Sequence, residues 1–173
     1  MRMGELLALS WRDVDLEGAT LQVKATLQRT RDGFTFAEPK PARSRRQVAL
    51  TIAAVASLKR HRVVQAEERL RLGIAWEEND LVFANEVGRP IEAANLRNRY
   101  FWRLLERAGL PRIRFHDLRH TAATLMLGQG VHPKVVSEML GHSQISITLD
   151  LYSHVTPTMQ REAAEAMDAA LSR

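Results

Sequence analysis

Between His116 and Tyr152 the chain reads HDLRHTAATLMLGQGVHPKVVSEMLGHSQISITLDLY, and its glycines punctuate it into short helical pieces. His116 to Leu127 carries Leu118, Ala122, Leu125 and Met126 as the apolar side of a helix. Gly128 to Gly130 is a turn, and Pro133 opens a second helix that Gly141 stops. Up to Gly141 this stretch reads as helix. It also gathers polar groups at suggestive positions. His116 and Arg119 stand three apart, which places them on one helix face. His142 follows in a Leu-Gly-His-Ser turn, and Tyr152, one of only two tyrosines, closes the segment. A histidine, an arginine, a second histidine and a tyrosine are the parts needed to hold a phosphate and attack it.

The remainder of the chain divides around a long helix. Arg2 to Leu9 has a mostly apolar helical pattern. Ala19 to Thr26, Phe34 to Ala37 and Gln47 to Leu50 read as strands, the first two joined by a polar turn at Thr30 to Gly33 whose Asp32-Gly33 pair is a hairpin signal. A small antiparallel sheet is therefore expected, with Lys40 at a strand-turn edge and a basic loop of Arg43, Ser44, Arg45 and Arg46 behind it. Thr51 to Leu72 is the long helix, with Thr51 as its N-cap and Gly73 as its stop. Ile52, Val55, Leu58, Val63, Ala66 and Leu70 are its expected buried stripe. Glu92 to Ala108 is another helix, with Leu96, Tyr100, Phe101, Leu104, Leu105 and Ala108 inward and Arg99, Arg103 and Arg107 on one outer face. Ser143 to Tyr152 alternates like a strand, yet Ser143 equally suits a helix cap, and the pattern does not decide. Thr156-Pro157 starts a thinly amphipathic, alanine-rich helix that needs something to dock on. The expected fold class is mostly α with a small antiparallel β-sheet (α+β), in one domain.

Composition narrows the partners. The 173 residues include no cysteine, which excludes disulfides and thiolate metal sites and fits a reducing cytosol. No apolar run approaches membrane-spanning length, so no membrane partner is expected. The net charge of +5 suits a polyanion, most simply nucleic acid. Lys24, Lys40, Lys59 and Lys134 are the only lysines, so arginine carries the excess, and its planar fork matches phosphate oxygens.

Three chemistries compete for the polar set. His116 and His120 stand at i and i+4, as in a helical zinc pair. Arg119 on nearly the same face would set a positive charge beside the cation, Asp117 is shorter than the usual glutamate base, and no third ligand is indicated. The segment from Thr121 to Tyr152 also resembles a helix-turn-helix, which would bind DNA without chemistry. The third reading is phosphoryl transfer by a tyrosine. Tyr152 attacks at neutral pH only with cations or a base nearby, because a tyrosine pKa is about 10. Arginine forks would neutralise the phosphodiester oxygens, and another group would protonate the leaving oxygen.

Five motifs then converge in order along the chain. His116-Asp117-Leu118-Arg119-His120-Thr121 resembles the H-x-x-R box of the tyrosine recombinase (phage integrase) family. Leu140-Gly141-His142-Ser143 resembles its second histidine box, and Tyr152 lies ten residues beyond His142, as its nucleophile does. Arg2-Met3-Gly4-Glu5-Leu6 resembles its R-x-x-E-L. Pro39-Lys40, followed by Ser44-Arg45-Arg46, resembles the hairpin that carries its lysine.

The resemblance implies the tyrosine recombinase catalytic-domain fold and site-specific DNA recombination through a 3′-phosphotyrosine. Tyr152 would attack the scissile phosphate. Arg2 and Arg119 would clamp its oxygens, Lys40 would protonate the leaving 5′-oxygen, and His116 would serve as base or hydrogen-bond partner of Tyr152. His142 would bind a phosphate oxygen, with Glu5 orienting its neighbours. Arg43, Arg45 and Arg46 are the expected DNA contacts. No metal and no cofactor are implied. The partners would be double-stranded DNA and other protomers, four on DNA, with the carboxy-terminal helix 157–173 docking in trans. The location would be cytoplasmic, on the nucleoid when bound to DNA. The family's amino-terminal DNA-binding domain and first catalytic helices have no counterpart in residues 1–173. Those residues are therefore expected to be an amino-terminally truncated catalytic domain, weak or inactive alone, with Arg2 at a fraying end.

Overall fold

The computed structural model describes residues 1–38, 45–142, 144–146, 148–150, 165 and 167–171. Helix α1 is Met3–Leu7, followed by a 3-10 turn at Trp11–Asp13 and strand β1 at Val14–Asp15. Strands β2 (Thr20–Val23), β3 (Thr26–Thr30), β4 (Gly33–Ala37) and β5 (Arg46–Ala49) come next. They do not form the single sheet expected from the sequence. β1, β2 and β5 make one three-stranded antiparallel sheet, and β3 and β4 make a separate hairpin. The stretch around Thr26, read as the end of one strand, begins a new one. Asp32-Gly33 does mark the hairpin turn, with Gly33 at φ 125° and Thr30 paired to Gly33.

Helix α2 runs Ile52–Leu72 as expected, and the Thr51 hydroxyl accepts from the Ala54 N–H at 3.2 Å. Its expected buried stripe is not there. Ile52, Val63 and Leu70 are exposed, and no residue of α2 is fully buried. The face that packs is mixed instead. Leu58 lies against the core formed by Leu9, Leu21, Val23 and Val82. One turn on, the His61 ring stacks on Phe83 with Nε2 at 2.7 Å from the Val82 carbonyl, and Gln65 donates to the Leu81 carbonyl and accepts from Trp11 Nε1. Satisfied polar side chains thus replace aliphatic ones where the helix crosses backbone that needs partners.

Ala93–Asn95 (α3) continues through a π-helical stretch at Leu96–Phe101 into Trp102–Arg107 (α4). Phe101 and Leu105 are buried, whereas Tyr100 and Leu104, expected inward, are exposed. α5 (Asp117–Gly128) and α6 (Pro133–Leu140) follow, separated by the expected glycine turn. Their shared core is Ala123, Leu127, Val136 and Leu140, with Met126 and Val131 against it. Leu118 and Leu125, expected inward, are exposed. Beyond Gly141 the ambiguity resolves as helix: Thr148 and Leu149 both donate their N–H to the Ile145 carbonyl. No described helix is long and apolar enough to cross a membrane.

Candidate active site

On α5 the residues that face inward recur every four positions: Arg119, Ala123 and Leu127. The packing of Ala123 and Leu127 against α6 therefore carries the Arg119 side chain inside with them. Arg119 is 6% exposed, and its Nη1 and Nη2 have no hydrogen-bond partner among the described residues. Burial, then the charges of Arg2 and Arg46, against the opposing pull of Glu5, draw its pKa down to about 10. A buried guanidinium without an acceptor is costly and rare.

Among the described residues, Glu5 supplies the carboxylate of this centre. It lies in α1 and is 4% exposed. Its Oε2 accepts from the Arg2 backbone N–H at 2.8 Å, and its Oε1 from Arg2 Nη1 at 2.9 Å, a reciprocal arrangement at the start of α1. Arg46 grips the same carboxylate from β5, with Nη2 at 2.8 Å from Oε2 and Nη1 at 3.2 Å from Oε1. Burial would raise the Glu5 pKa, but the hydrogen bonds from Arg46 and Arg2 prevail and hold it at about 2. Both arginines also reach the carboxy-terminal end of α6, where carbonyls lack helical partners. Arg46 Nε donates to the Met139 carbonyl at 2.8 Å, and Arg2 Nη2 to the Gly141 carbonyl at 3.0 Å. Arg2, expected at a fraying end, is thus held at three points.

Gly141 closes α6 in the left-handed region, φ 68° and ψ 50°. An added Cβ would lie 2.7 Å from Arg46 Nη1, so glycine is required by space as well as by φ. This turn delivers His142. Its Nδ1 lies 2.7 Å from the Thr148 hydroxyl, which is fully buried. Burial first, then Arg119, Arg2, His120 and Arg46, push the His142 pKa down to about 4, so the ring is neutral at pH 7. His116 caps α5 on the exposed side, its ring edge-on to His120 at 5.0 Å between centroids. Burial and the neighbouring charges of His120, Arg119 and Arg114 lower its pKa too.

Of the residues expected from sequence, Arg2, Glu5, Arg119 and His142 come together, with His116 at the edge. Lys40, Arg43 and Tyr152 lie outside the described residues. Arg45 is exposed and paired with Glu38 at 2.5 Å, on the surface as a DNA contact would be. Arg46 requires correction. Expected as a DNA contact, its side chain is 6% exposed and committed to Glu5 and the end of α6. The missed signal was strand parity. Arg46 shares the inward face of β5 with Val48, opposite buried Val23 and Leu21. Thr148 was also missed, and a lone threonine in a polar stretch carried no signal. Among the described residues no group of three or more metal-ligating side chains gathers around His116 and His120.

Among the described residues, three guanidinium groups and the Met1 ammonium surround the carboxylate of Glu5. The centre thus carries excess positive charge, a neutral histidine and two N–H₂ groups of Arg119 without a partner. Fold and site together define an α+β domain built around a buried cluster of guanidinium groups. The phage integrase family profile matches residues 1–159, and the chain belongs to that family. A tyrosine recombinase XerC-like protein of Caldanaerobacter subterraneus subsp. tengcongensis is 39% identical over 180 residues, 97% of this chain and 46% of that protein. The ICEBs1 integrase of Bacillus subtilis is 29% identical, over 97% of this chain and 45% of its own length. The chain thus spans about half the length of the curated relatives it matches. The Tn1549 transposon integrase, solved in complex with circular intermediate DNA, shares the fold at TM-score 0.78 and 24% identity, over 96% of this chain and 56% of that one. XerH recombinase, solved bound to its palindromic difH substrate in a post-cleavage complex, aligns at TM-score 0.64 and 26% identity, over 97% and 42%.

Proposed function

We propose that this chain is the catalytic part of a tyrosine-type DNA recombinase or integrase, which breaks and rejoins DNA at a specific site. The observation that carries the reading is the buried, unsatisfied guanidinium of Arg119 beside Arg2 and neutral His142. Such a cradle is complete only with an oxyanion in it. A scissile phosphodiester supplies two non-bridging oxygens, and negative charge grows on them as the phosphorus becomes five-coordinate. Arg119 and Arg2 neutralise that charge, and Glu5 and the Gly141 carbonyl already hold Arg2 in place. His142, uncharged, adds a ring N–H donor.

In this reading the Tyr152 oxygen attacks phosphorus and the bond to the 5′-oxygen breaks. A 3′-phosphotyrosine and a 5′-hydroxyl result. Lys40 donates the proton to the leaving oxygen. His116, lowered in pKa and so able to accept a proton at neutral pH, takes the proton from Tyr152 or holds its hydroxyl. Attack by a second 5′-hydroxyl on the phosphotyrosine reverses the step on a new strand, and no cofactor enters the balance. Arg43 and Arg45 contact the DNA backbone. Protomers assemble four to a DNA junction, with segment 157–173 docking on a neighbour. The protein works in the cytoplasm, on the nucleoid when bound to DNA.

The test is a nicked suicide DNA substrate incubated with the protein in EDTA and resolved on a denaturing gel. A covalent protein–DNA adduct is expected, and it should vanish in Tyr152→Phe. Binding without an adduct would favour a DNA-binding module that cuts nothing. Activity abolished by EDTA would point to a metal-dependent hydrolase instead.

A further inference from the structure

We infer that Thr148 is a positioning residue for His142: its buried hydroxyl donates to Nδ1, which leaves the ring proton on Nε2 and makes Nε2–H a donor to the oxyanion in the cradle. The role of Nε2–H rests on the proposed function, whereas the tautomer does not.

The argument is one of satisfied valences. The Thr148 hydroxyl is fully buried, and His142 Nδ1, at 2.7 Å, is its one hydrogen-bond partner among the described residues. A hydroxyl can donate one proton and accept others. If Nδ1 were protonated, the hydroxyl would accept from it, and the Thr148 proton would be left buried with no acceptor among the described residues. Such an orphan is what folded interiors avoid. If Nδ1 is bare, the hydroxyl donates and both atoms are satisfied. A neutral ring has only one proton to place, and its depressed pKa keeps it neutral at pH 7. The proton belongs on Nε2.

The contact also couples two segments. His142 leaves α6 at the left-handed Gly141, whereas Thr148 stands in the helical turn in which it donates its N–H to Ile145. One hydrogen bond therefore sets both the tautomer and the tilt of the ring, as partners of functional histidines commonly do.

Two readouts test this. The first is the His142 imidazole nitrogens by two-dimensional ¹H–¹⁵N NMR at neutral pH on the full chain. Wild type and Thr148→Ser should show a protonated Nε2 and a bare Nδ1, and Thr148→Val should show a mixture. A proton on Nδ1 in wild type overturns the inference, as does a Thr148→Val spectrum identical to wild type. The wild-type spectrum alone decides the tautomer should Thr148→Val fail to fold. The second readout is the rate of adduct formation on the suicide substrate. Thr148→Val should slow it by about 10- to 100-fold, less than the roughly 10²- to 10³-fold cost of deleting an oxyanion donor outright. Thr148→Ser should restore it. An unchanged rate in Thr148→Val overturns the positioning role. An adduct absent from wild type counts against the proposed function, and the NMR result still judges the tautomer.

Discussion

Arg119→Met should make the protein more stable while abolishing strand cleavage. Its guanidinium is buried, has no partner at Nη1 and Nη2 among the described residues, and is pulled down from the usual arginine range to about 10, first by burial and then by Arg2 and Arg46. At about 1.4 kcal/mol per pH unit, that difference comes to about 3 kcal/mol. The sign follows from the direction of the shift. A base whose folded pKa is depressed opposes folding wherever it is charged, so the cost is full below about pH 10 and is relieved as pH rises above it toward the ordinary arginine range. At pH 7 all of it is present. Methionine keeps much of the aliphatic packing and carries no charge, so urea unfolding at pH 7 in anion-free buffer should show Arg119→Met more stable by about 1–4 kcal/mol. Inorganic phosphate provides the counter-test. An anion seated in the wild-type cradle stabilises it by about 2.7 kcal/mol at a hundred times its Kd. The variant should gain far less, so added phosphate should close the gap between the two proteins. A variant less stable than wild type without anion would refute this account of the cradle. So would an equal phosphate gain in both proteins.

Two further perturbations probe the frame around that cradle. Glu5→Gln should lose the contribution of a carboxylate held at about 2 rather than its ordinary 4.5, about 3 kcal/mol, which is present above pH 4.5 and lost as pH falls through about 2. Urea unfolding from pH 7 to pH 2 measures it: the two proteins should converge in acid, and identical pH slopes would sink the idea. Gly141→Ala should cost roughly 1–2 kcal/mol for a β-carbon at φ 68°. It should cost adduct yield as well, because that carbon displaces Arg46, and wild-type midpoint and yield together would contradict it.

Local chemistry was legible where one residue type dictates one backbone state. Thr51 capping α2, Asp32-Gly33 turning the hairpin and Gly141 ending α6 all lie where the sequence places them. So do the cradle members Arg2, Glu5, Arg119 and His142, because the motifs that contain them are contiguous and ordered. Burial was less legible. Leu118 and Leu125 look like the inner face of α5, yet Arg119, Ala123 and Leu127 take that place. Both faces fit a helical period, and hydrophobicity alone ranks leucine above arginine. Only the seating of Ala123 and Leu127 against Val136 and Leu140 selects between them.

What the sequence determined by itself is the main helices, the β3–β4 turn, their order and the family. What the tertiary structure decided is the division of labour among the arginines. Arg45 and Arg46 are neighbours in one basic loop, indistinguishable as residues. The pairing of β5 with β2 turns one to solvent and the other inward, where Glu5 and the end of α6 await it. Arg2 is satisfied by the same groups, and Arg119 is left over. Among the described residues, long-range contacts give acceptors to two arginines and leave the third without one, a distribution that exists only once α1, β5 and α6 have met.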